Sequence, residues 1–141
     1  MNDIRRWFGW LIMVLVVHVG EQLLFGIDEL EEFKQVAGVY YSWFSNPDYG
    51  SVVMVGLIVL VGMSFVFAAM FGGKWRLIPA GFFGVSGVIE SHHLVKTFLH
   101  GAYFPGAVTA VAFVTVGALL LRAVIHEWRA MASGETTAAA A

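Results

Sequence analysis

The chain contains no cysteine and little charge. Without thiols, disulfides and thiolate metal ligands are both excluded. Charged residues make up 13% of the 141 positions, where soluble domains carry roughly a quarter. The net charge of -2 offers no basic footprint, so nucleic acid is excluded as a partner. Several catalytic motifs are also missing: His-Glu-x-x-His, Walker A and Gly-x-Ser-x-Gly. Five histidines are too few for the many-histidine di-iron sites of membrane desaturases. No small-x-small cleavage site follows the first apolar run, which continues to Leu23-Leu24-Phe25-Gly26, so that run is expected to remain as a spanning helix.

What is present is apolar. Hydrophobic residues reach 59%, with mean hydropathy +0.78. The expected fold is all-α, a polytopic membrane protein with four transmembrane helices in an up-down bundle. The spans are expected at about 7–26, 51–72, 77–99 and 105–127, within one domain over 1–132. Pro105 suits the first turn of a helix, where no amide donor is required. An acidic outer segment, 27–49, is expected to prolong the first helix and then present the aromatic cluster Tyr40 to Phe44 to the interface. Residues 133–141 read as a disordered tail. Gly56, Gly62, Gly81, Gly84 and Gly87 read as packing positions.

Basic residues set the orientation. Arg5 and Arg6, then Lys74 and Arg76, then Arg122 and Arg129 fall on one side of such a bundle. The positive-inside rule makes that side the cytoplasm, with both termini there and the 27–49 segment outside.

Two polar clusters interrupt the apolar runs. His18 and Glu21 are three apart and share a helix face. On the third span Glu90, His93, Thr97 and His100 lie within about 80° of one another at 100° per residue. His18 is about 16 Å beyond Trp7, and Glu90 about 20 Å beyond Leu77, at 1.5 Å per residue. Both helices run outward, so the clusters are expected to meet at matching depth.

Burying ionisable groups in hydrocarbon costs free energy, which favours a functional site. The expected site is a divalent-metal centre, zinc or iron, with His18, Glu21, Glu90, His93 and His100 as candidate ligands and Glu21 and Glu90 as the catalytic carboxylates. His100 reads equally as an interfacial histidine. Two other readings stay open: a hydrogen-bond network that registers the helices, and a proton or ion relay. Gln22 borders the His18 face and would orient a ligand. His92 is expected to point away, and Lys96 to extend outward. Asp28 and Glu32 read as a solvated face, and His126 and Glu127 as interfacial. The matching function is a metal-dependent membrane enzyme, a hydrolase or oxidoreductase, acting on an apolar or lipid-like substrate. A proton or metal-ion carrier or sensor, and a structural subunit of a membrane complex, are the alternatives. Four spans give one protomer little lining for a closed substrate path, which favours a homodimer.

His18-Val19-Gly20-Glu21-Gln22 resembles the signature of the HXXEE family of small prokaryotic membrane proteins. His92-His93 followed by Tyr103-Phe104-Pro105-Gly106-Ala107-Val108-Thr109-Ala110 is similar to that family's Tyr-x-Pro-Gly-x-x-Thr-Ala segment, and Trp43-Phe44 also fits. The resemblance covers about Trp7 to Ala110. Gln22 stands where the family has a second glutamate, and Glu90 near where it has an asparagine. The resemblance implies a His/Glu core in a prokaryotic inner membrane and supplies no reaction.

Overall fold

Helix α1, Asp3–Leu24, is built from the first apolar run, and Asp3 suits its positive N-terminal end. The structure, a computed structural model, describes residues 3–26 and 31–133, without the side chains of 32 and 33. Gly26, at φ 71°, turns the chain just after α1. Prolongation of this helix through 27–30 lies outside the described residues, as does the tail from 134, and Asp28 and the side chain of Glu32 with them. Helix α2, Glu31–Tyr41, follows. The Tyr40 hydroxyl donates to the Gly50 carbonyl at 2.6 Å, tying α2 to the next helix.

Helix α3, Pro47–Phe71, starts four residues before the expected span. Asn46 caps it by accepting from the Asp48 amide at 2.9 Å, and Pro47 takes the first-turn position. Gly72 and Gly73 then leave the helix with positive φ, and a 3-10 turn, Gly73–Arg76, leads into α4, Leu77–Ile89. Helix α5 is Ser91–His100, ended by Gly101 in the left-handed region. Helix α6, Ala107–Ser133, completes the described residues, which hold no β-strand.

α1, α3 and α6 are long and apolar enough to cross a membrane. The expected single span over 77–99 is instead two helices of 13 and 10 residues. The chain tightens at Glu90, whose ψ is -7°, and the His93 amide bonds back to the Glu90 carbonyl at 3.1 Å, a 3-10 closure. The expected start of the last helix also moves. Pro105 and Gly106 form a buried turn, and helix begins at Ala107.

Leu11, Ala80, Phe113 and Leu120 form the core where α1, α4 and α6 meet. Glycine permits the closest approach. A Cβ on Gly87 would lie 3.0 Å from the Gly117 Cα and 3.2 Å from the Phe113 carbonyl. At the opposite end from Glu90, Arg76 and Glu127 form an ion pair between α4 and α6. α3 is different: nothing in its most apolar stretch is buried. Val52, Ile58, Met63 and Met70 are all exposed there. An apolar surface of that extent is unsuited to water.

A candidate metal centre at the head of the bundle

His18 and His93 are each 1% exposed, in a chain whose other surfaces are largely apolar and open. The Glu90 Oε2 lies 3.2 Å from His18 Nε2 and 2.9 Å from His93 Nε2. These three atoms lie within 4.8 Å of one another. Ligand atoms about 2.0–2.2 Å from one ion are separated by roughly 2.9 Å at right angles and about 3.4 Å at the tetrahedral angle. The two distances to Glu90 fall in or close to that range. Two imidazoles and one carboxylate form a donor set used by catalytic zinc and by non-haem iron.

Glu21 stands apart from the cluster, although it was expected as a ligand. Its carboxylate turns to the start of α6. It accepts from the backbone amides of Val108 at 3.1 Å and Thr109 at 2.8 Å, and from the hydroxyls of Thr109 and Tyr103. The first amides of a helix have no partner inside it, and the helix dipole favours a negative charge there. Glu21 thus caps α6 from α1. Partial burial and the Glu21 hydrogen bond push the Tyr103 phenol up to about 12, so it remains a donor at neutral pH.

This cap determines the His18 tautomer. Thr109 gives its single hydroxyl proton to Glu21, so its oxygen accepts from His18 Nδ1 at 2.7 Å. With Nδ1 protonated, a neutral His18 presents a lone pair at Nε2, toward Glu90. Glu21 therefore orients His18 through Thr109, as carboxylates commonly orient metal-binding histidines. His93 Nδ1 is buried without a hydrogen-bond partner in good geometry, against the Pro105-Gly106 turn. Gly106 has φ 91°, and a Cβ there would lie 2.9 Å from His18 Cε1 and 3.2 Å from His93 Nδ1. Only glycine lets that turn close over both rings.

Gln22 Nε2 lies 3.0 Å from both His18 Nε2 and His93 Nε2. It holds the two rings together, beyond the single-ligand orienting role expected of it. Phe113 and Phe104 pack on the His18 and His93 rings, at centroid distances of 5.2 and 5.3 Å. His92 is exposed, as expected, yet its ring lies 4.0 Å from that of His93. His100 is exposed at the end of α5 and lies outside the convergent group. Thr97 shares the face but bonds to backbone, donating to the His93 carbonyl and accepting from the Phe104 amide. Lys96 lies over the Phe104 ring at 4.8 Å.

Thr109 and Tyr103 carry roles that reading single helices missed. Their signal was the Tyr103 to Ala110 segment, noted for its pattern but given no chemistry. A cleft of about 530 Å³ lies elsewhere, near Arg6, Arg122 and Glu127 at the opposite end of the bundle. Compared with protein-family models, curated proteins and solved structures, the chain finds no match.

Proposed function

We propose that the chain is a membrane protein of four crossing segments, α4 and α5 together forming one. Its working centre is a divalent-metal site of His18, His93 and Glu90, and it acts as a metal-dependent hydrolase on a lipid-like or apolar substrate. The observation that carries the reading is the convergence of three lone-pair donors, with His18 held in the metal-binding tautomer by Thr109 and Glu21. Gln22 offers its amide hydrogens to the same two Nε2 atoms, so a cation at that point would take the place of those hydrogen bonds. Glu90 is partly exposed, so the site has an open edge. A bound zinc or iron would acidify a water at that edge. The Glu90 carboxylate would take up the water's proton as its oxygen bonds to an ester or amide carbonyl carbon, and would return that proton to the leaving oxygen or nitrogen as the bond to it breaks. Hydrolysis needs water and neither an oxidant nor a reductant. The resemblance to the HXXEE family supports a shared His/Glu core.

Elemental analysis of protein purified in mild detergent without chelator tests this. One equivalent of zinc or iron per chain is expected, lost in His18→Ala and His93→Ala. Glu90→Gln is expected to slow turnover of a fatty-acyl ester by roughly 10²–10⁴-fold. Metal-free wild-type protein with native helicity and normal melting would overturn the metal reading. A second reading has its own support. With a proton on His18 Nε2 as well, Tyr103, Glu21, Thr109, His18 and Glu90 would form a continuous hydrogen-bonded chain, suited to proton movement. It requires proton flux in liposomes that Glu21→Gln abolishes, and flux equal to empty vesicles would remove it.

A further inference from the structure

The end of the bundle remote from His18 and His93 carries a second feature. A groove of about 440 Å³ runs along α6, beside Val88 of α4. Its apolar lining is Val88, Ala118, Leu121 and Ile125, with Ala118 and Ile125 exposed, and every polar residue lining it is basic: Arg122, His126 and Arg129. From Ala118 to Arg129 the helix rises about 16 Å at 1.5 Å per residue. Arg122 and Arg129 are about 10 Å apart by that rise, with Ile125 between them, and the apolar Ala118 and Val88 lie beyond Arg122 on the side toward Glu90. Arg122 and Arg129 are exposed and make no ion pair among the described residues.

The neighbouring larger cleft shares Arg122 and His126 with the groove and adds Arg6. Its acids are already engaged, Asp3 with Arg6 at 3.3 Å and Glu127 with Arg76. Among the described residues the uncompensated charge at this end is therefore positive. Basic pockets between helices at the cytoplasmic surface suit anionic lipid headgroups.

We propose that this groove binds an anionic phospholipid, with its phosphate between Arg122 and Arg129 and an acyl chain along Ile125, Ala118 and Val88. A soluble anion would use the basic lip alone, whereas the apolar length behind it fits a tail. The inference rests on the membrane reading but not on the metal.

The test is native mass spectrometry of the full chain released from detergent, titrated with phosphatidylglycerol and, separately, phosphatidylcholine. Phosphatidylglycerol is expected to bind more tightly, and the double variant Arg122→Gln/Arg129→Gln to weaken it about thirtyfold. His18→Ala should leave lipid binding unchanged even where it removes metal. Circular dichroism of the double variant checks folding, and Ala118→Phe, which fills the tail path, should weaken binding with both arginines intact. Equal binding of the two lipids, or phosphatidylglycerol binding unchanged in both variants, would overturn the proposal. Displacement by inorganic phosphate at millimolar concentration would overturn it in favour of a free-anion site. Full solubility without detergent would instead remove the membrane reading itself.

Discussion

At the residue scale, the proposed metal centre would depend on a hydroxyl that is not among its three ligand atoms. Thr109 accepts from His18 and donates to Glu21, so it transmits the pull of the carboxylate to the ring. Thr109→Val removes that link and keeps the shape. Metal affinity is expected to fall about 10–100-fold, the usual cost of losing such a partner. Thr109→Ser should restore it, because the hydroxyl returns. Competition with a chromogenic chelator measures both, and equal affinity in Thr109→Val and wild type would show that the ring needs no such anchor. Glu21 retains the Val108 and Thr109 amides and Tyr103 in either variant, so the α6 cap should persist.

At the element scale, the contact between α4 and α6 sets how near Glu90 comes to His18. Gly87 and Gly117 meet backbone to backbone, and a side chain at either position strikes groups that cannot yield. Gly117→Leu is expected to force the helices apart, costing about 1–3 kcal/mol as overpacking does. Melting in detergent should fall and metal binding should weaken with it. Gly62→Leu is the contrast, since a Cβ there meets nothing within 4 Å. Similar loss in both variants would show that the glycine contact is not what holds the bundle. The tight turn at Glu90 acts on the same scale, because it joins two short helices where one long span was expected.

At the scale of the whole molecule, three helices are long and apolar enough to cross a membrane, and one of them, α3, is unburied along its most apolar stretch. The proposed four-segment topology would put Lys74, Arg122 and Arg129 on one side and the Gly101 to Pro105 link on the other. The absence of cysteine makes labelling direct. Ala102→Cys is expected to react with a membrane-impermeant maleimide in intact cells. Lys74→Cys should react only after permeabilisation. Labelling of both in intact cells, or the reverse pattern, would overturn the orientation.

The helical class was legible in the sequence, because apolar runs of about 20 residues leave the backbone no partner but itself in hydrocarbon. The meeting of His18 with Glu90 and His93 was legible too, since equal rise on two helices running the same way brings residues to equal depth. Bond partners were not legible. Glu21 and His18 share a face, so helical geometry alone sent both to one centre. Only the packed structure brings the bare amides at the start of α6 within reach of Glu21, and a carboxylate follows unpaired donors. The break at Glu90 was hidden for the same reason, since the local sequence has neither proline nor glycine at that position. His100 shares its helix face with Glu90 and His93, yet it lies at the far end of a short helix. A helical face gives direction without reach, and tertiary packing alone set which side chains meet.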